Sequence, residues 1–403
     1  MKAEFKGGSP KGTVAAPPSK SYAHRLLIAA ALAAGESQLQ GVALSQDIRA
    51  TLDCLSALGA KYRLEDGVLH MNGCGGRPAA AGPLLCGESG STLRLLLPVA
   101  LLGGGEIRFC GTERLMARGV GVYREILTGT GIMLTEEKNA LRISGLLQPG
   151  IYRPRGDVSS QFISGLLLAL PLLPADSRIE IRPPVESRSY IRLTLDVLER
   201  FGIAVLPQGE NAFAVPGGQQ YRPGRFAVEG DWSNAAFFYA LGALGGAVEV
   251  TGLNPHSLQG DRVCLDMLAA LDSPGAELDL SDCPDLGPVL FAVAAAKHGA
   301  RFYGTRRLAI KESDRVQAML AELKKFGVEG KTGDNTVEII AKSFGPPQQP
   351  LWGHNDHRIV MALSVLAAFT GGVIEGAEAV NKSFGGFFRA LRQLGLEVDY
   401  ADG

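Results

Sequence analysis

Pro17-Pro18-Ser19-Lys20-Ser21-Tyr22-Ala23-His24-Arg25 runs straight into the apolar stretch 26–34, and this passage from polar turn to Ala- and Leu-rich helix recurs along the chain. Two prolines forbid an earlier start, so the helix opens at Lys20 and Ser21, with Arg25 one turn above Ser21 on the same face. Further along, Gly87-Glu88-Ser89-Gly90-Ser91-Thr92 opens onto 93–102, Ser159-Ser160-Gln161 onto 162–173, and Asp231-Trp232-Ser233-Asn234 onto 235–244. Asp285 precedes 286–297, and Asn355-Asp356-His357-Arg358 precedes 359–369. Most neighbouring copies lie about 70 residues apart, too far for a solenoid. About six such units fill the chain.

Each unit reads as strand, helix, strand, helix, strand, punctuated by many of the 52 Gly and 22 Pro. Segments 228–230, 248–253 and 337–340 read as short strands, and 48–58, 191–201 and 316–326 as amphipathic helices. The second helix of each unit is expected to end on a glycine: Gly59, Gly131, Gly202, Gly327 or Gly395. The fold class is α/β (α+β), with helices covered by sheets. A division near 223–229 puts about three units in each half, and a binding cleft is expected where two such domains meet.

Helix N-termini are anion sites, because unpaired N–H groups and the positive end of the helix dipole both face the guest. A polar cap alone means little, since nearly every helix needs one. Several capped starts that also carry Lys or Arg point to a pocket for more than one anionic group. That attraction must be local, because 40 basic residues against 41 acidic ones leave a net charge of -1. This balance gives no bulk pull toward nucleic acid or acidic membrane. With 46% hydrophobic and 20% charged residues, the 403-residue chain has the composition of an ordinary soluble protein. Cys54, Cys74, Cys86, Cys110, Cys264 and Cys283 contain no Cys-x-x-Cys pair, which disfavours a disulfide framework or zinc site. The histidines show no metal-binding spacing, and no Gly-x-Ser-x-Gly elbow suggests a hydrolase.

Lys311-Glu312-Ser313-Asp314-Arg315 places two cations four residues apart, expected on one helix face, with Glu312 offering a carboxylate for proton transfer. Asn355-Asp356-His357-Arg358 precedes a segment too apolar to lie on a surface, so its polar residues are forced against a buried helix end. Asp285 admits two readings, a helix cap or a buried general base. His357 likewise reads as a site residue or as a satisfied core histidine.

Taken in order, these segments resemble the 3-phosphoshikimate 1-carboxyvinyltransferase family of enolpyruvyl transferases, over nearly the whole chain. The resemblance rests on Pro18-Ser19-Lys20-Ser21 with Arg25, 87–94, Arg114-Leu115-Met116-Ala117-Arg118, Ser159-Ser160-Gln161, and Ser187 with Tyr190. It continues through Gly230-Asp231-Trp232-Ser233, Asp285, 311–315, Asp356-His357-Arg358 and Lys382-Ser383-Phe384. It implies two similar domains, each of three βαβαββ repeats around buried parallel helices, with a cleft between them. The first lobe would span 18–226 and the second 1–17 with 227–403.

The implied reaction moves the enolpyruvyl group of phosphoenolpyruvate to the 5-hydroxyl of shikimate 3-phosphate, through a tetrahedral intermediate, and releases phosphate. By resemblance Lys20, Ser21, Arg25, Ser159, Ser160, Gln161, Ser187, Asp285 and Lys311 would hold shikimate 3-phosphate. Lys20, Gly90, Arg118, Gln161, Arg315, Arg358 and Lys382 would hold phosphoenolpyruvate. Asp285 would take the hydroxyl proton, Glu312 would protonate the methylene carbon, and Lys20 and Lys311 complete the catalytic set. The expectation is a cytoplasmic monomer that closes on its substrates and needs no cofactor, metal, nucleic acid or membrane. Gly90 leaves room that a larger side chain would take from phosphoenolpyruvate, which implies sensitivity to glyphosate.

The chain departs from the family pattern at Glu88, where Asn is common, at Gly119 and Gly385, where Pro is frequent, and at Arg307 and Ala309, where Asn and Arg are. Two other readings fit the sequence less well. The sister transferase acting on UDP-N-acetylglucosamine carries a loop Cys where this chain has Glu113, and a Lys-Asn pair where it has Lys20-Ser21. A non-catalytic anion- or RNA-end-binding protein is disfavoured by the near-neutral charge and by Asp285, Lys311 and Glu312.

Overall fold

The computed structural model describes residues 1–401. Backbone contacts divide the chain into two compact units, Lys20–Glu229 and Met1–Ser19 together with the residues from Gly230 onward. Each is built from small sheets of one repeated design, with one apolar helix per copy buried and one amphipathic helix covering.

In the first unit Leu84–Gly87 runs parallel beside Glu106–Gly111, which pairs antiparallel with Ala140–Ser144, itself antiparallel to the edge strand Met133–Glu137. Ile151–Tyr152, Ser177–Glu180, Ala212–Val215 and Leu206–Pro207 repeat the pattern. In the third copy Glu36–Gln40, Val68–Asn72 and Lys61–Glu65 take their parallel neighbour, Arg225–Ala227, from the far end of the unit. That strand lies three residues ahead of the expected 228–230. Phe226 stacks on Phe201 at a centroid distance of 4.0 Å, and this contact draws the pairing segment forward.

The second unit shows the design in Glu277–Asp279, Ala300–Tyr303, Thr336–Ile340 and Glu329–Gly333. It recurs where Leu351–Trp352 runs parallel to Gly372–Glu375, with Lys2–Phe5 inserted between the latter and Val398–Tyr400. One copy departs from the expected βαβαββ unit. It has only the parallel pair Lys11–Ala15 and Ala247–Thr251, and after the helix Cys264–Ala270 the chain passes directly to Glu277–Asp279 with no hairpin between.

The cores follow from the composition of the buried helices. In Lys20–Leu32, Gly90–Ala100 and Ser160–Ala169 nearly every residue is buried, and the same holds for Trp232–Ala243, Gly287–Ala296 and His357–Thr370. A helix apolar all round has no solvent face and must be enclosed, and each buried Leu, Ile or Val contributes about 1.5–3 kcal/mol. The covering helices, such as Gln46–Ala57 and Arg188–Arg200, bury one face only. Gly202 (φ +78°) ends the latter as expected, whereas Gly131 lies beyond the helix Gly121–Leu127, which has already stopped at Leu127. Among the described residues no helix is long and apolar enough to cross a membrane.

Candidate active site

In the first unit the polar residues that open the buried helices gather at one end. Ser91 and Gln161, each in the first turn of its helix, are joined by a 2.8 Å bond from Gln161 Nε2 to Ser91 Oγ. One turn further on, the Arg94 carbonyl lies where a Cβ on Gly165 would meet it at 2.7 Å. The helices Gly90–Ala100 and Ser160–Ala169 therefore run in the same direction in close contact, and bring their N-terminal N–H groups together.

Lys20 opens its helix and pairs with Asp47 at 2.8 Å, both side chains largely enclosed. Arg25 is buried one turn on. Its Nε donates to Thr194 Oγ1 at 2.7 Å, Nη1 to the Ser21 carbonyl at 2.7 Å, and Nη2 to Ser164 Oγ and the Tyr190 carbonyl, each at 3.2 Å. Among the described residues this guanidinium hydrogen-bonds only to neutral oxygens, and it lies 6.0 Å from the centroid of the Tyr190 ring. Burial pushes its pKa down to about 10, so it keeps its proton at neutral pH with no carboxylate to balance it.

Gly90 is the first residue of its helix, and a Cβ there would lie 3.1 Å from both Nη1 and Nη2 of Arg118. The Arg118 guanidinium thus covers the helix start, next to N–H groups that favour an anion. Ser159 caps Ser160–Ala169 by accepting from the Gln161 N–H at 3.3 Å. Ser187 is buried at the N-cap of Arg188–Arg200 in left-handed backbone (φ +54°), a conformation few non-glycine residues hold. The first unit thus carries Lys20, Ser21, Arg25, Gly90, Arg118, Ser159, Ser160, Gln161 and Ser187, all at or beside helix starts.

The second unit carries Asp285, Lys311, Glu312, Arg315, Arg358 and Lys382. Asp285 lies in the short turn Pro284–Leu286 and makes no cap bond to the helix Gly287–Ala296. Its carboxylate instead meets Arg315 Nη1 at 2.8 Å, Arg358 Nη2 at 3.1 Å and Lys311 Nζ at 3.4 Å. Burial alone would raise its pKa, but Arg358, Lys311 and Arg315 outweigh that and hold it well below the usual carboxylate range. Lys311 is pushed down to about 8, chiefly by burial and against the pull of Asp285.

Arg315 is 1% exposed and holds this cluster together. Nε donates to Asp356 Oδ2 at 2.9 Å, Nη1 to Asp285, and Nη2 to Glu312 Oε2 at 2.7 Å and to Asp356 Oδ1 at 3.4 Å. Asp356 is fully buried, and besides this pair it accepts from Ser313 Oγ at 3.0 Å and caps its helix at the Arg358 N–H. Lys382 donates to the Asn355 carbonyl at 2.7 Å.

The expectation that Lys311 and Arg315 share a helix face is not met. Asp314 caps the helix by accepting from the Gln317 N–H, so Arg315–Lys325 starts after Lys311 and Glu312, and Lys311 is extended. Lys311 reaches Asp285 from the turn and Arg315 from the first residue of the helix, so the two do not form one helical stripe. No motif in the sequence marks Asp47, Arg94 or Asp356 as partners of the named residues. A charged residue inside an otherwise apolar helix was the available signal for Arg94.

A model of the EPSP synthase (3-phosphoshikimate 1-carboxyvinyltransferase) family matches residues 6–391. A 3-phosphoshikimate 1-carboxyvinyltransferase from Clostridium kluyveri is 40% identical over 415 residues, covering 96% of each chain. One from Clostridium perfringens is 37% identical over 410 residues, again covering 96% of each. The solved structure of an EPSP synthase from Acinetobacter baumannii matches the fold with a TM-score of 0.80 at 24% identity, covering 99% of this chain and 100% of that one.

Proposed function

Because this chain belongs to the EPSP synthase (3-phosphoshikimate 1-carboxyvinyltransferase) family, we propose that it transfers the enolpyruvyl group of phosphoenolpyruvate to the 5-hydroxyl of shikimate 3-phosphate and releases phosphate. The observation that carries this reading is Asp285, a largely enclosed carboxylate kept ionised by Lys311, Arg315 and Arg358. Two multiply anionic substrates repel unless cations intervene, and a proton acceptor set among those cations suits attack by a hydroxyl of one of them.

Arg25 and Lys20, with Ser21, Ser159, Ser160, Gln161 and Ser187, take the phosphate and hydroxyls of shikimate 3-phosphate, joined by Asp285 and Lys311. Arg25 is suited to a phosphate because its charge faces only neutral oxygens. Lys20, Arg118, Gln161, Arg358 and Lys382 take phosphoenolpyruvate, with Gly90 leaving it room. Arg315 has four of its five N–H donors committed to carboxylates. It offers a ligand one hydrogen at most and contributes mainly by fixing its neighbours.

In the addition step the 5-hydroxyl oxygen bonds to C2 of phosphoenolpyruvate, its proton passes to Asp285, and Glu312 delivers a proton to the methylene carbon. In the elimination step Glu312 takes a proton back from the new methyl group as phosphate departs, and the proton on Asp285 leaves with it or to solvent. Lys20 stabilises charge in both steps, and Lys311, at about 8, is the cation whose proton is easiest to move near neutrality. The enzyme works as a monomer in the cytoplasm, and an inhibitor such as glyphosate competes in the phosphoenolpyruvate pocket beside Gly90.

Mixing purified protein with both substrates and following inorganic phosphate tests the reading. Release that depends on both substrates is expected, and its absence overturns the assignment. Glu312→Gln with unchanged turnover would remove Glu312 from the mechanism.

A further inference from the structure

We infer that Arg94 is a positioning residue for the donor pocket, fixing the Gln161 amide as a hydrogen-bond donor and bracing Arg118; this rests on the reading that Gly90, Arg118 and Gln161 hold phosphoenolpyruvate. Arg94 stands one turn beyond Gly90 on the helix Gly90–Ala100 and is 5% exposed. Its Nη1 donates to Gln161 Oε1 at 3.1 Å, and its Nη2 to the Arg118 carbonyl at 3.3 Å. Its guanidinium lies 5.1 Å from the centroid of the buried Phe162 ring, which holds it from the other side.

A guanidinium has donors and no acceptor. The face of Gln161 turned toward Arg94 must therefore be the carbonyl, and the amide nitrogen must turn the other way. There one N–H meets Ser91 Oγ at 2.8 Å, and the second has no acceptor among the described residues. An amide left free to flip would present its oxygen to an anion in one of its two orientations. Arg94 removes that alternative, and through the Arg118 carbonyl it anchors the backbone of the arginine whose guanidinium covers Gly90.

The backbone beneath is fixed as firmly. The buried Tyr123 hydroxyl donates to the Arg94 carbonyl at 2.7 Å and lies 3.1 Å from the Phe162 carbonyl, tying both helices at one point. A Cβ on Gly165 would sit 2.3 Å from that hydroxyl and 2.7 Å from the Arg94 carbonyl, so only glycine lets the helices approach this closely.

The experiment compares the full-length wild type with Arg94→Met, Arg94→Lys and Gln161→Ala, and with the double variant Arg94→Met/Gln161→Ala, measuring kcat and KM for each substrate. Losing hydrogen bonds that orient charged-ligand contacts should raise KM for phosphoenolpyruvate about 10-fold or more in Arg94→Met, with KM for shikimate 3-phosphate changed less than about threefold. Arg94→Lys, which keeps a donor, should fall between the two. In the Gln161→Ala background Arg94→Met should cost clearly less than in the wild type, because part of its effect has already been removed. Equal cost in both backgrounds, an unchanged KM for phosphoenolpyruvate, or equal rises in both KM values would overturn the inference. Should Arg94→Met fail to fold, the split between the two KM values in Arg94→Lys decides the matter. A wild type that releases no phosphate from the two substrates overturns the reaction assignment itself, an outcome distinct from an active wild type indifferent to Arg94.

Discussion

Arg25 in the first unit and Arg315 in the second are both buried, and each commits four of its five N–H donors. Their partners differ in charge. Arg25 meets two hydroxyls and two carbonyls, whereas Arg315 meets Asp285, Glu312 and Asp356. Burial lowers the pKa of Arg25, while around Arg315 the three carboxylates outweigh burial and raise it. The difference separates two uses of a buried cation. Arg25 is held in place by the fold with its charge unspent, ready for an incoming anion. Arg315 spends its charge internally and fixes the orientation of the three carboxylates around it.

The sharpest way to break this comparison is Arg315→Met. It leaves the fully buried Asp356 and the enclosed Asp285 without their shared cation, and breaking a buried pair from one side costs about 3–5 kcal/mol. Urea denaturation should show a loss of that size together with loss of turnover, and a variant as stable as the wild type would remove Arg315 from its structural role. Arg25→Met should behave in the opposite sense. Removing an uncompensated buried charge together with its hydrogen bonds should change stability by about 1–2 kcal/mol or less. Affinity for shikimate 3-phosphate, read by calorimetry, should fall about 10- to 100-fold, as expected for a lost charge-assisted contact. Equal stability losses in the two variants would erase the distinction.

Titration sharpens it further. Lys311 loses its proton near 8 in the folded chain, against ~10.4 for an ordinary lysine. Between those values the unfolded chain binds more protons, so this residue's contribution to folding becomes more favourable as pH rises. Anion affinity that depends on the ammonium should decline over the same interval. Subtracting Lys311→Met from the wild type in urea titrations across that range isolates the slope, and a zero difference contradicts the assignment. The smallest expected effect is that of Gly90→Ala. The added Cβ meets only the mobile end of Arg118, so stability should hold while KM for phosphoenolpyruvate rises severalfold, roughly 3- to 10-fold by the cost of displacing one charged contact. An unchanged KM would place the donor elsewhere.

The buried helices were legible because polar turns give way to segments apolar on every side, a pattern with no exposed solution. The polar residues at the starts of those helices were legible for the same reason. Other features depend on partners distant in sequence. Asp356 is named by its motif, but its role as an acceptor for Arg315 and Ser313 arises from contacts across 41 and 43 positions. Arg94 reaches Gln161 across 67 positions. The placement of Lys311 failed locally, since Asp314 is the better cap and starts the helix late. The missing hairpin after Cys264–Ala270 left a trace in the helix spacing, since Trp232 and Gly287 open their helices 55 residues apart where the other neighbours stand 70 to 72 apart.

The strand Lys2–Phe5 is hydrogen-bonded between Gly372–Glu375 and Val398–Tyr400. During synthesis on the ribosome, Lys2–Phe5 must therefore wait for segments some 370 and more residues later in the chain before its backbone bonds can be made. The body Lys20–Glu229 has all of its strands by the time Ala227 has been added. One unit can thus mature while the other is still being translated, and the nascent strand Lys2–Phe5 is an unpaired edge that the cell must keep from pairing elsewhere until its neighbours arrive.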